Sequence, residues 1–324
     1  MQEAGLPFVA LSGRPLSSSA GALRAVGSLV SGVIQARLVL RREKPGLVIG
    51  TGGYASTALC LAQGGKRKPL IILEGNAISG RTNRLLGRRA TCICTAFESV
   101  HQFFPKERSV LTGFPVRQGF DSQRNAALCR SHFGLERELF TLLVVGGSQG
   151  ARAVNDIILR AAPALVESGV QILHQVGKRN ADENYPDIPG WHRLDFIEDM
   201  ASAYHACDLA VSRAGASTLS ELGACGCAPI LVPYPFAQAD HQMANAMELA
   251  NLGAALVSYQ KDLTPERLVI LVRQLRDDRA RLSRMQEAMR AWAKPDAASR
   301  VADLALSLLN GGKLPLLQPS SDES

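Results

Sequence analysis

The stretch Leu209-Ala-Val-Ser-Arg-Ala-Gly-Ala-Ser-Thr-Leu-Ser-Glu221 constrains the fold more than any other: a short apolar run breaks at Arg213-Ala214-Gly215 and restarts with helical spacing. That order reads as strand, tight turn and helix, the unit from which parallel α/β sheets are built. Ala214 and Gly215 let the backbone turn closely, and Ser217 or Thr218 is placed to cap the helix. Several backbone N–H groups at the helix start would then face the open edge of the sheet, a position that attracts phosphate. Glu221 follows about one turn on, within reach of a ribose hydroxyl when a nucleotide diphosphate rests on that helix end. Taken alone, the stretch reads equally as an ordinary strand-to-helix turn followed by a solvated glutamate.

The same unit recurs along the chain. Leu47–Ile49 runs into Gly50-Thr-Gly-Gly-Tyr-Ala-Ser56 and a helix to about Gln63. Pro69–Leu73 leads through Glu74-Gly-Asn-Ala-Ile-Ser-Gly80 into a helix carrying Arg81, Arg84, Arg88 and Arg89, and Thr91–Thr95 and Ser109–Leu111 are further short strands. Gly113-Phe-Pro-Val-Arg117 and a polar helix at Asp121–His132 interrupt the pattern. Phe140–Val145 restarts it, ending in Gly146-Gly-Ser-Gln-Gly150 before a helix from Ala151 to about Val166. Strands at Val170–Val176, His192–Ile197, Cys207–Val211 and Pro229–Val232 alternate with helices at Met200–His205, Ser217–Cys225 and His241–Leu252. Thr264–Ala293 is helical, and Pro295 precedes a last helix, Ala297–Leu309. A chain of 324 residues suits two domains of this kind. The expected division is residues 1–117, residues 118–296, a helix over 297–310 packing back on the first domain, and a Pro/Ser-rich disordered tail over 311–324.

Charge separates the two halves. Residues 1–120 hold 16 Lys and Arg against 5 Asp and Glu, a balance of +11, whereas the whole chain carries only +7. A basic first domain points to an anionic partner. With aromatic residues at 5% and no zinc-finger or RNA-recognition signature, phosphate or an anionic membrane surface is favoured over nucleic acid. The helix Gly21–Arg42 sets Leu23, Val26, Leu29, Val30, Val33, Ile34 and Leu38 at helical spacing beside Arg24, Arg37, Arg41 and Arg42; that face is either core or a membrane-surface face. No run of about 18 apolar residues is present, so membrane contact would be peripheral. The seven cysteines form no C-x-x-C pair and read as buried reduced thiols, with no metal site. The Gly50–Ser56 loop departs from G-x-G-x-x-G and lacks the acidic residue about 20 positions on, which disfavours a nicotinamide cofactor.

Taken together, Gly50–Ser56, Glu74–Gly80, Gly113–Arg117, Gly146–Gly150, Phe196–Met200, Ser212–Glu221 and Pro233–Ala246 resemble the MurG family. These are the bacterial UDP-N-acetylglucosamine:N-acetylmuramyl-(pentapeptide)-pyrophosphoryl-undecaprenol N-acetylglucosaminyltransferases of peptidoglycan synthesis. The most specific parts are Gly-Gly-Ser-Gln-Gly-Ala151, Ser-Arg-Ala-Gly-Ala-Ser-Thr-Leu-Ser-Glu221 and Asp240-His-Gln-Met-Ala-Asn245. The resemblance implies an α/β GT-B fold of two Rossmann-like, doubly wound domains facing across a cleft, UDP-GlcNAc held by the second and the lipid I acceptor by the first. It implies that Ile197 pins uracil through its backbone, that Glu221 takes the ribose hydroxyls, and that Arg213, Ser148 and two helix ends hold the diphosphate. Asn76, His241 and Gln242 would read the GlcNAc hydroxyls, Arg117 would lie near the nucleotide, and Gly52, Gly53 and Tyr54 are acceptor-loop candidates. Amides and imidazoles suit sugar hydroxyls because they both donate and accept, while phosphates take the donors.

The implied chemistry is inverting displacement at the anomeric carbon, without a cofactor; no Asp-x-Asp occurs in the chain, in keeping with metal independence. The implied location is the cytoplasmic face of the bacterial membrane, with the basic helix Gly21–Arg42 at the surface. Two departures qualify the likeness. The family's opening strand and its Gly-Gly-Thr-Gly-Gly-His loop, which supplies the histidine suspected as base, have no counterpart here, so the first domain is expected to be incomplete and no catalytic base is assigned. The family's His-Glu-Gln-Asn is Leu73-Glu-Gly-Asn76. The alternatives are another GT-B UDP-sugar enzyme, a lipid glycosyltransferase or an epimerase, and a catalytically silent UDP-sugar-binding subunit.

Overall fold

The computed structural model describes residues 7–11, 22–63, 68–120, 124–147, 150–180, 185–312 and 314. Most of the opening segment and of the tail therefore lies outside the described residues. The chain divides into two compact units: Met1–Gly75, Ser79–Thr112 and Ser299–Ser324 form the first, and Asn76–Ile78 with Gly113–Ala298 the second.

In the first unit, strands β1 (Val48–Gly50), β2 (Leu70–Glu74), β3 (Cys92–Thr95) and β4 (Ser109–Leu111) form one parallel sheet in sequence order. Every residue of β2 and β3 is buried, as strands covered on both faces require. Helix α1 (Ala22–Glu43) precedes β1, α2 (Gly53–Ala62) joins β1 to β2 and α3 (Arg81–Gly87) joins β2 to β3, and Leu70, Ile72, Leu86, Ile93 and Val100 build the core. The periodicity of α1 marks its faces without saying which is covered. Gly32 and Ala36 are buried, Leu29 and Val33 are half-buried, and Val30, Ile34 and Leu38 are 54%, 54% and 60% exposed. Much of the apolar stripe is thus surface rather than core.

The second unit holds a parallel six-stranded sheet in the order β10-β9-β8-β5-β6-β7: β5 (Phe140–Val145), β6 (Val170–Gln175), β7 (Trp191–Leu194), β8 (Leu209–Ser212), β9 (Ala228–Leu231) and β10 (Leu256–Val257). Its helices are α4 (Ala126–His132), α5 (Arg152–Glu167), α6 (Met200–Ala206), α7 (Ala216–Cys225), α8 (His241–Asn251), α9 (Pro265–Asp277) and α10 (Arg279–Trp292). One core layer joins Leu142, Val144, Ile172, Val211 and Ile230 of the strands to Ile158 of α5 and Leu268, Val272 and Leu282 of α9 and α10. The alternate strand residues Leu143, Leu173 and Ala210 are fully buried as well, so both faces of this sheet are covered. Helix α11 (Ala297–Leu309) belongs with the first unit from Ser299 onward.

Several local expectations are corrected. The helical stretch Thr264–Ala293 is two helices, because the Asp278 side chain accepts from the Arg281 N–H at 2.9 Å and starts α10 afresh. The cap of α7 is Gly215, with no side-chain hydrogen bond, rather than Ser217 or Thr218. Strand β7 stops at Leu194, so Ile197 lies in the loop beyond it. Five of the seven thiols, all free, are buried, and Cys207 and Cys225 are partly exposed.

Candidate active site

The strand order places the site before any side chain is considered. From β5 the chain moves outward to β6 and β7 on one side, then returns to β8, β9 and β10 on the other, so the direction reverses between β5 and its hydrogen-bonded neighbour β8. Ligands of open parallel sheets bind at such a switch point, outside the carboxyl ends of the strands. The loops there are Gly146–Gly150 and Arg213–Gly215, and each opens a helix whose start has no side-chain cap. Helix α7 makes its first backbone bond from Leu219 N–H to the Gly215 carbonyl at 3.0 Å, leaving the N–H groups of Ala216, Ser217 and Thr218 outside its ladder. Gly150 sits at φ +77°, and a Cβ there would strike the Val176 carbonyl, so this loop needs glycine to lie against the end of β6. Two helix starts without side-chain caps thus follow the hydrogen-bonded strands β5 and β8, and helix starts of this kind favour anions.

Glu221 stands in α7 beside that site with its side chain 15% exposed. Its Oε1 lies 3.7 Å from Arg117 Nη2, and its Oε2 accepts from the Tyr204 hydroxyl at 3.4 Å. Burial pushes the Glu221 carboxyl above its ordinary value, partly offset by the Arg117 charge and the Tyr204 hydrogen bond. Burial also pushes the Tyr204 phenol well above its ordinary value, reinforced by the Glu221 charge, so it remains a donor at neutral pH. Phe120 braces both partners: its ring lies 6.1 Å from that of Tyr204 and 5.4 Å from the Arg117 guanidinium.

The other sequence candidates are placed as follows. The Ile197 N–H donates to Gln175 Oε1 at 2.9 Å, and beside it the Phe196 ring lies 4.8 Å from Lys178 Nζ. Arg213 spends its guanidinium on the Val232 and Pro233 carbonyls and on Gln260 Oε1, at 2.9, 3.2 and 2.7 Å, and so fastens the end of β8 to the loop after β9. His241 and Gln242 begin α8 after Ala239 and Asp240, whose φ values of +53° and +54° are left-handed and rare for residues other than glycine. Gln242 Oε1 accepts from the Tyr234 N–H at 2.9 Å. Asn76 accepts from Asn245 Nδ2 at 3.1 Å, while the same Asn245 amide donates to the Ala214 carbonyl at 3.0 Å and accepts from the Ala77 N–H at 2.8 Å. Arg117, Ile197, Arg213, Glu221, His241, Gln242 and Asn76 therefore all belong to the second unit. Ser148 lies outside the described residues. Gly52 (φ +85°) caps α2 of the first unit and Gly53 begins it; the Tyr54 side chain lies outside the described residues.

Gln175, Tyr204 and Asn245 escaped functional assignment from the sequence. Asn245 closes a quoted motif and Gln175 is a polar residue ending an otherwise buried strand, which are usable signals; Tyr204 in Met-Ala-Ser-Ala-Tyr gives none. Among the described residues no cluster of three or more His, Cys, Asp or Glu side chains could hold a metal ion.

Residues 141–301 match the glycosyltransferase family 28 C-terminal domain and residues 1–95 the glycosyltransferase family 28 N-terminal domain. A UDP-N-acetylglucosamine–N-acetylmuramyl-(pentapeptide) pyrophosphoryl-undecaprenol N-acetylglucosamine transferase of Syntrophotalea carbinolica is 42% identical over 87% of this chain and 78% of its own. The protein of the same description from Nitratidesulfovibrio vulgaris Hildenborough is 39% identical over 94% of this chain and 84% of its own. The crystal structure of Acinetobacter baumannii MurG superposes with a TM-score of 0.74 at 32% identity, covering 94% of this chain and 86% of that one. A putative UDP-N-acetylglucosamine 2-epimerase from Listeria monocytogenes, at TM-score 0.68 and 13% identity, shares the fold alone. With two parallel α/β units and relatives of this similarity over most of its length, the chain has the GT-B fold and belongs to the MurG family of glycosyltransferases.

Proposed function

We propose that this chain transfers GlcNAc from UDP-GlcNAc to the 4-hydroxyl of undecaprenyl-pyrophosphoryl-MurNAc-pentapeptide, lipid I, giving the lipid II of peptidoglycan synthesis. The observation that carries the donor half is the pair of uncapped helix starts at the β5/β8 switch point, with the Glu221 carboxylate about one turn along α7. Displacement forms the bond from the acceptor oxygen to the anomeric carbon and breaks the bond to UDP, whose leaving electron pair collects on the diphosphate. On this reading the free N–H groups at the N-termini of α5 and α7 take that charge, and removing one such donor typically costs about 10²–10³ in rate. Glu221 takes the ribose hydroxyls, with Arg117 beside it, and the Ile197 carbonyl takes the uracil. Asn76, His241 and Gln242 read the sugar, and Ser148 completes the phosphate loop. Arg213 acts here through the loop after β9, which carries its hydrogen bonds. Gly52, Gly53 and Tyr54 are the acceptor-side residues.

The same reading puts the enzyme peripherally on the anionic cytoplasmic face of the cell membrane. No helix among the described residues is long and apolar enough to cross a membrane. Helix α1 instead carries the exposed face Val30, Ile34 and Leu38 beside exposed Arg37, Arg41 and Arg42, the composition of an interfacial helix.

Labelled UDP-GlcNAc incubated with a lipid I analogue in anionic vesicles tests the assignment. The expected result is label in the lipid phase with release of UDP; conversion of UDP-GlcNAc to its 2-epimer without lipid labelling would replace this reading with the epimerase one.

A further inference from the structure

Two of the free thiols meet away from the site described above. Cys207 caps the end of α6, and Cys227 follows the end of α7, where the left-handed Gly226 turns the chain and the Cys227 N–H donates to the Leu222 carbonyl at 2.9 Å. From there the chain enters β8 and β9, neighbouring parallel strands in which Leu209 is paired with Ala228. Both thiols therefore stand at the amino ends of these strands, the edge of the sheet opposite the Arg213–Gly215 turn. Counting back from that pair, the two cysteines are offset by one residue, which on adjacent strands separates Cα atoms by about 6 Å, inside the span of about 4.4–6.8 Å that a disulfide bridges.

Their sulfurs are 3.2 Å apart, so a sulfur–sulfur bond of about 2.05 Å needs a closure of about 1.2 Å. Cys207 Sγ also donates to the Tyr204 carbonyl at 3.3 Å. The other thiols are placed less well. Cys225 turns its sulfur to the Phe120 carbonyl at 3.7 Å, and Cys92 and Cys94, with sulfurs 3.9 Å apart, are both buried and stand two residues apart on one strand, where the rise holds their Cα atoms about 6.6 Å apart. Access within the pair is unequal: Cys207 is partly exposed and Cys227 is 3% exposed. A reachable thiol with a second one poised behind it is the arrangement of an oxidation-sensitive pair.

We infer that Cys207 and Cys227 are a modification site, a dithiol that a peroxide closes to a disulfide stapling the end of α6 to the end of α7. The Cys207 thiolate attacks one peroxide oxygen and breaks the O–O bond; Cys207 becomes a sulfenic acid, and the other oxygen leaves as water with the thiol proton. The Cys227 sulfur then attacks the Cys207 sulfur, and the sulfenic hydroxyl leaves as a second water with the Cys227 proton. Two thiols give up two electrons and two protons, and the peroxide is reduced to two waters. Burial pushes the Cys207 thiol well above its ordinary value, and Cys227 and Asp208 add to the rise, so the first step quickens as pH increases. The link joins residues 20 apart in sequence and so restrains the unfolded chain.

Peptide mapping by mass spectrometry tests it, on the full chain treated with hydrogen peroxide in mildly alkaline solution, quenched in acid and alkylated on unfolding. The expected result is a Cys207–Cys227 cross-link, removed by a thiol reductant, and a melting temperature about 5–10 °C above that of the reduced protein. C225S should still cross-link, and C227S should leave Cys207 as a sulfenic or higher acid. Wild-type protein in which Cys207 and Cys227 are recovered alkylated, or in which Cys207 is bridged to Cys225 instead, overturns the inference, as does a cross-linked protein that melts no higher than the reduced one. The mapping on wild type decides the matter even if a variant fails to fold.

Discussion

Tyr204 and Glu221 sit on different helices, α6 and α7, and meet through one hydrogen bond of 3.4 Å from a phenol buried to 2% exposure to a carboxylate whose other oxygen lies 3.7 Å from Arg117. The phenol orients one carboxylate oxygen and leaves the remaining lone pairs to a diol. Y204F removes that donor without changing packing. UDP affinity is expected to fall by about 0.5–1.5 kcal/mol, the net value of one such bond. Unchanged affinity by calorimetry would show that Arg117 and packing suffice to aim Glu221.

Glu221 itself should matter more. E221A removes charge-assisted bonds to the ribose, and UDP and UDP-GlcNAc binding should weaken by about 1–3 kcal/mol. The pH dependence has a definite sign. Burial raises the Glu221 pKa, so the carboxylate that binds the diol is lost as pH falls through a value above the ordinary one for glutamate, and affinity drops on that acid side. In the free protein the same shift makes ionised Glu221 a cost to stability above the folded pKa, relieved as pH falls. E221Q should bind more weakly at pH 7 and show no acid limb; an acid limb that persists in E221Q would assign it to another group.

Asn245 is fully buried and serves Ala77, Asn76 and Ala214 at once. N245D keeps the acceptor for the Ala77 N–H and replaces the one donor nitrogen with an oxygen that faces the two oxygens of Asn76 and Ala214. Leaving such buried groups unpaired costs about 1–3 kcal/mol each, so N245D should melt lower than wild type and bind UDP-GlcNAc more weakly. Equal melting and binding would show that these bonds are replaceable by water.

How much of this was legible in the sequence depends on the range of the interaction that decides it. Leu209–Glu221 announces strand, turn and helix because apolar spacing and small turn residues are local, and the β5 loop announces itself in the same way. The strand order that makes those two loops neighbours is carried by packing, and no local pattern shows it. Asp278 was missed as a helix start because Arg-Asp-Asp-Arg inside a long polar-apolar repeat keeps helical periodicity through the break. The two-residue strand β10 is too short to carry any period. Gln175 and Tyr204 act across 22 and 17 residues of sequence, a separation at which a side chain's partner is invisible. Ser217 and Thr218 were plausible caps by type, yet the turn closes at Gly215 and leaves the helix end open.

The split at Asp278 yields a stability test. Its carboxylate accepts the Arg281 N–H at the start of α10, and α10 packs Leu282 and Met285 into the second unit's core. D278A should lower stability by about 1 kcal/mol, a fall of about 2–4 °C in melting temperature for a unit of this size, with donor binding unchanged. A melting temperature equal to wild type would show that core packing alone holds the start of α10.

Helix α1 offers the last test, since its apolar side chains were expected in part as core and three of them are on the surface. Val30, Ile34 and Leu38 recur every four residues and share a face, and Arg37, Arg41 and Arg42 adjoin it at the carboxyl end of the helix. An anionic bilayer would attract the arginines over about a Debye length, and the aliphatic groups would then enter the headgroup boundary. Each arginine near the surface contributes about 1 kcal/mol, so R37Q/R41Q/R42Q should lose about 10²-fold in vesicle partitioning at low salt. I34S/L38S should bind more weakly at every salt concentration, because the apolar contribution is not screened. Sedimentation with anionic and neutral vesicles at two ionic strengths separates these contributions. Equal binding to both vesicle types, or a triple variant that partitions as wild type does, would remove α1 from the membrane surface and leave its exposed face to some other partner.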